Sequence, residues 1–140
     1  MKLKTHLNAA SMGLIGSIIL IISEFFSWFS SYNLIELYII TSSVAIEDSF
    51  LFLFPLISGS ICLIANALIF YKFDLRIKSV ILSLVGLGFL LIFLLDYISQ
   101  EISYLANAGI GLYLGITGFL LNIFNLIIIL ITKDKNMDGN

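Results

Sequence analysis

Between Ala108 and Ile131 the chain runs for 24 residues without one charged side chain. As a helix, at about 1.5 Å per residue, such a run is long enough to cross a hydrocarbon core roughly 30 Å thick. Five small or polar residues punctuate it, Gly111, Gly115, Gly118, Asn122 and Asn125, at spacings of four, three, four and three. At about 100° per residue they fall within an arc of roughly 80°, so they form one stripe on an otherwise apolar helix. The other apolar segments are expected to pack around that stripe.

Composition agrees with a membrane setting. Only 11% of the 140 residues are charged and 60% are hydrophobic, whereas a soluble domain carries roughly a quarter charged residues to cover its surface. The expected fold is an all-α integral membrane bundle of four transmembrane helices in one domain, 1–140. The spans read as 9–31, 50–71, 79–95 and 108–131, with outer connectors 32–49 and 96–107 and a cytoplasmic connector 72–78. The basic start before the first apolar run also suits a cleaved signal peptide. Phe25, Phe26, Trp28 and Phe29 stand where small residues would mark cleavage, which favours a retained helix with an interfacial aromatic belt. Pro55 is expected to open or kink the second span. Asn107 is the candidate N-cap of the fourth. The run Ile39–Thr41 suits either a short strand or a helix lying in the interface.

Charge sets the orientation. Lys2, Lys4, Lys72, Arg76, Lys78, Lys133 and Lys135 all fall on one side of this scheme, while the connectors on the other side carry Glu36, Glu47, Asp48, Asp96 and Glu101 and no Lys or Arg. By the positive-inside rule both termini are cytoplasmic and the protein is a multi-pass component of the cell membrane.

Glu24 is the sharpest polar feature. It shares an arc of the first span with Gly13, Ser17, Ser27 and Ser31, and a carboxylate in hydrocarbon costs about 2.5–3.5 kcal/mol on insertion scales. It should therefore face protein or water, as the coupling group of a proton or cation site or as a carboxylate bonded to Ser or Tyr hydroxyls. Asn66, Asn122 and Asn125 are expected to hold helices together through amide contacts or to line a polar pathway; with Ser17 and Glu24 they form the candidate intramembrane polar site. Gly13, Gly86, Gly111, Gly115 and Gly118 are the candidate helix-packing positions, because small residues let backbones approach. Counting depth along antiparallel first and fourth spans sets Ser17 opposite Asn122 and Glu24 opposite Gly115–Gly118.

Several chemistries find no residues to carry them. The single Cys62 and single His6 make neither a disulfide nor a Cys- or His-based metal site. There is no phosphate-binding glycine loop, HExxH or GxSxG motif. No cofactor, catalytic set or nucleic-acid partner is expected, and the three basic residues of the 72–78 connector fall short of a lipid-headgroup cluster. The expected partners are the lipid bilayer and either further copies of the chain or another membrane protein. The expected role is a structural or accessory tetraspan; the alternative is a small proton- or cation-coupled transporter or channel subunit using Glu24. In outline, four spans with a glutamate in the first, the chain is similar to the small multidrug transporters, which implies that alternative. It departs from them in its 18-residue first outer connector and its one-sided charge. Cytoplasmic termini and a longer first outer connector resemble claudin-like tetraspans, whose paired outer cysteines this chain lacks. No family is assigned on these outlines.

Overall fold

The fold is taken from a computed structural model, which describes residues 2–29, 31–100 and 106–132, with backbone alone for 2, 3, 6, 73 and 97–100. Lys133, Lys135 and Glu101 lie outside the described residues. In order the elements are α1 (Lys2–Ser23), β1 (Ser27–Phe29), β2 (Tyr32–Asn33), α2 (Leu34–Ser42), α3 (Ile46–Ser49), α4 (Phe54–Tyr71), α5 (Arg76–Gln100) and α6 (Ile110–Ile131). Short 3-10 turns cover Phe50–Leu53 and Phe73–Leu75. By length and composition three helical stretches can cross a membrane, Ile46–Tyr71, Arg76–Asp96 and Ile110–Ile131, and a shorter apolar helix covers Leu7–Ser23. This is a helical bundle of the kind a membrane accommodates, and its outward faces are apolar at Ile18, Ile64, Val85, Ile92 and Phe124.

The first helix departs from the expected 9–31 span. It ends at Ser23, and its last turn tightens into i→i−3 bonds from Glu24, Phe25 and Phe26 to Ile21, Ile22 and Ser23. Beyond it the chain turns and becomes extended. Ser27–Phe29 pairs antiparallel with Tyr32–Asn33, Phe29 bridges to Ala108, and Gly109 N–H donates to the Trp28 carbonyl at 2.9 Å. Glu24 therefore lies past the helix end, and Ser27 lies in a strand. A stripe counted at 100° per residue through Ser27 to Ser31 does not exist, because that step holds only while the helix continues.

Other boundaries move for local reasons. α2 settles Ile39–Thr41 as helix: Asn33 Oδ1 accepts from Glu36 N–H at 2.8 Å and Glu36 Oε2 accepts from Asn33 N–H at 3.0 Å, a reciprocal cap that starts the helix. Pro55 sits in the first turn of α4, where its missing N–H goes unused because the Leu51 carbonyl accepts from Phe54 instead. α6 is capped by Gly109, not by Asn107, and so has no side-chain cap bond at its N-cap. The backbone bond from Gly109 to Trp28 fixes where α6 begins.

α1 lies between α4 and α6, and α5 packs on α4 and reaches α6 through Leu87 and Leu126. The core is layered along the bundle. At one end Leu20, Trp28, Phe29, Leu34, Leu90, Phe93 and Leu112 form an apolar cluster. At the other, Ala9, Ala10, Ile69 and Ile129 form a smaller one. Arg76 closes that second end by donating to the carbonyls of Ile129 and Leu130 in the last turn of α6. Between the two apolar layers sit Ser17, Asn66, Asn122 and Asn125, with a third small apolar cluster of Cys62, Leu87 and Leu126.

Candidate functional site

The stripe on α6 divides into two parts with different work. Its first two glycines hold the Trp28 side chain: a Cβ at Gly111 would lie 2.5 Å from Trp28 Cδ1, and one at Gly115 would lie 2.5 Å from Cη2. The expectation that these two glycines bring helices together is corrected accordingly, since what they admit is an indole. Trp28 is fully buried, its Nε1 donates to the Ser23 carbonyl at 2.7 Å, and Phe93 of α5 meets it edge-on at 5.5 Å between ring centres. Gly118 does serve helix packing. A Cβ there would stand 2.7 Å from the Gly16 carbonyl oxygen, so α1 and α6 approach backbone to backbone.

Below this lies a buried amide cluster joining three helices. Ser17 Oγ of α1 is 2.7 Å from the Gly13 carbonyl and 3.1 Å from Asn122 Oδ1 of α6. Asn66 Nδ2 of α4 donates to the Cys62 carbonyl at 2.7 Å and reaches Asn122 Oδ1 at 3.3 Å and Ser17 Oγ at 3.5 Å. Asn122 Nδ2 donates to the Gly118 carbonyl at 2.8 Å, and Asn125 Nδ2 donates to Asn66 Oδ1. The Cys62 carbonyl dictates which way the Asn66 amide points, and that in turn presents its oxygen to Asn125. Asn125 Oδ1 is left buried without a partner among the described residues. Gly13 makes room for the cluster, because a Cβ there would overlap the amides of both Asn66 and Asn125.

The remaining small residues tie α4 to its neighbours. Gly59 faces Leu20 and Ile21 of α1, while Gly86 of α5 faces Cys62 and the Ser58 carbonyl. Ser79 Oγ of α5 donates to the Ala65 carbonyl at 2.6 Å.

Glu24 stands apart from the amides. It is fully buried just past the end of α1, and neither carboxylate oxygen has a hydrogen-bond partner among the described residues. Gly115 is covered by Trp28 and Gly118 by Gly16 and Leu20, so the groove counted opposite Glu24 is already filled.

The structure thus brings Ser17, Asn66, Asn122, Asn125 and Gly13 together and leaves Glu24 at the Trp28 end. Sequence reasoning missed Trp28 as a core residue, reading it as part of an interfacial belt. It also missed Gly16 and the cap at Asn33, although the Asn-x-x-Glu spacing of Asn33 and Glu36 is a helix-start signal in its own right. No group of three or more His, Cys, Asp or Glu able to hold a metal occurs among the described residues. Comparison with protein-family models, with curated proteins and with solved structures finds no match.

Proposed function

We propose that this chain is an integral membrane protein of four spans, with both termini on the cytoplasmic side, that acts as a structural or accessory component by associating with other membrane proteins or with its own copies. The observation that carries the reading is how the polar side chains inside the bundle are used. Ser17, Asn66 and Asn122 bond to one another and to helix carbonyls, which makes them a seam between α1, α4 and α6 instead of groups held open toward a ligand. Such contacts contribute modestly, typically about 0.6 kcal/mol each and up to about 2, yet they select one register among apolar faces that would otherwise slide.

An associative role is supported by the α2–α3 hairpin at the Trp28 end. Ile39, Ile40, Val44, Ile46 and Phe50 are exposed there, Val44 by 87%. On a membrane protein a group of exposed apolar side chains meets either lipid or another protein, and the associative reading takes the second. The four-span topology rests on α1, whose 22 residues include the apolar stretch Leu7–Ser23, at the short end of what crosses a bilayer. Orientation rests on the one-sided distribution of Lys and Arg.

Reporter fusions after Asp48 and after Lys78 test the topology: the first should report the outside and the second the cytoplasm, and a cytoplasmic signal after Asp48 defeats it. Crosslinking in native membranes through the 39–46 hairpin tests the role. A discrete adduct, either a multiple of the chain or one defined partner, is expected; a monomer alone at every position overturns the associative reading.

A further inference from the structure

The α2–α3 hairpin turns more apolar surface outward than the bundle covers. In α2 only Leu34 is fully buried, while Ile39 and Ile40, about 100° apart on that helix, are both exposed. Val44, Ile46 and Phe50 continue the exposed set. The hairpin serines spend their hydroxyls on their own turns: Ser42 donates to the Ile39 carbonyl at 2.8 Å, Ser43 to Ile40 at 2.7 Å and Ser49 to Ile46 at 2.6 Å. The charge beside this surface is all acidic. Glu47 and Asp48 follow Ile46 directly and are exposed, as is Glu36, which accepts from the Asn33 N–H. Segments 32–49 and 96–107 contain no Lys or Arg.

That pattern separates three possible coverings. A helix resting among lipid headgroups has one apolar face and a polar face rich in Lys and Arg; α2 is apolar on more than one side and has no basic residue. A second copy docked through the same surface by two-fold symmetry sets Glu47 and Asp48 against their own duplicates, and like charges brought together across an interface oppose binding. A different protein whose apolar segment is bordered by Lys or Arg complements both the apolar residues and the carboxylates.

We propose that the α2–α3 hairpin docks another membrane protein through an apolar segment bordered by Lys or Arg on the same side of the membrane. This partner deepens the associative reading and rests on it, taking a different protein over a further copy of the chain.

The experiment uses the full chain in native membranes, with p-benzoylphenylalanine replacing Ile39, Val44 and Ile46 in turn and a second, differently tagged copy co-expressed. The expected adduct joins the hairpin to one different protein, and mass spectrometry should place Lys or Arg beside an apolar segment at the crosslinked site. Its yield should fall about fivefold in the double variant Glu47→Gln with Asp48→Asn, the size of two exposed charge pairs. It should fall likewise without those substitutions when salt rises from roughly 0.05 to 0.5 M. Asp74→Asn, exposed at the other end of the bundle, should leave it unchanged. An adduct between the two tagged copies overturns the proposed partner and leaves the associative reading standing. So does a captured protein whose yield resists either treatment or whose contacting segment lacks Lys and Arg. No protein adduct from any of the three positions, the result for a surface covered by lipid, overturns both.

Discussion

The ring of Trp28 lies so close over Gly115 that a methyl group at that glycine would stand 2.5 Å from it. This contact ties an extended segment to the first turns of α6, and the Gly109 to Trp28 backbone bond reinforces it. The two glycines and the tryptophan form one unit of packing, drawn from residues more than 80 positions apart in the chain.

Gly115→Ala and Gly111→Ala should each destabilise the folded protein by about 1–3 kcal/mol, the usual cost of overpacking a filled site. Gly88→Ala is the internal control, because nothing lies within 4 Å of a Cβ at Gly88. Thermal unfolding in detergent should rank Gly88→Ala with the wild type and both other variants below it.

Trp28→Ala should cost about 3–5 kcal/mol, since it empties a buried site between α5 and α6. Trp28→Phe should cost less, because a ring still fills most of the slot while the bond to the Ser23 carbonyl is lost. Denaturation of the two variants should preserve that order; equal losses would mean that the hydrogen bond outweighs the packing.

The amide seam predicts non-additivity. Asn66→Ala and Asn122→Ala remove partners that reach each other directly at 3.3 Å. Their double-mutant cycle should show coupling of about 0.6–2 kcal/mol. The pair Asn66→Ala and Gly88→Ala, which share no contact, should be additive in the same assay.

Two cysteine pairs test the α1 register in a Cys62→Ala background. Ser17→Cys with Asn122→Cys should crosslink, since Ser17 Oγ and Asn122 Oδ1 are 3.1 Å apart. Ile18→Cys with Asn122→Cys should not, because Ile18 points outward. The reverse result would rotate α1 by about 100°.

Arg76→Gln should loosen the last turn of α6. Its guanidinium donates to the carbonyls of Ile129 and Leu130, which end the helix, and a cation at a helix C-terminus contributes about 0.3–1 kcal/mol. Hydrogen exchange should quicken in the last turn of α6 and stay unchanged around Asn122.

Much of the architecture could be read from residue order, for physical reasons that are local. An uncharged apolar run has few alternatives to a buried or membrane helix, and the stripe from Gly111 to Asn125 identified the face of α6 that is buried. Ser17 and Asn122 could be matched by depth, because antiparallel helices of similar length align by their centres. Glu24 was legible as an anomaly, since burying a carboxylate is costly wherever it lands.

What residue order left open depended on partners distant in the chain. Nothing local forbids the first helix from running on through Trp28. It stops at Ser23 because the indole finds its slot in Gly111 and Gly115, and because the backbone beyond finds hydrogen bonds at Ala108 and Gly109. The amides at Asn66, Asn122 and Asn125 were each visible alone, but their bonding order follows from which carbonyl lies beside which nitrogen. Sequence by itself determined the apolar helices and the buried stripe, since these follow from solvation and helical period. Tertiary structure alone decided where α1 ends, what fills the glycine groove and which buried oxygens find partners among the described residues, because each is settled by packing between segments that only the folded chain brings together.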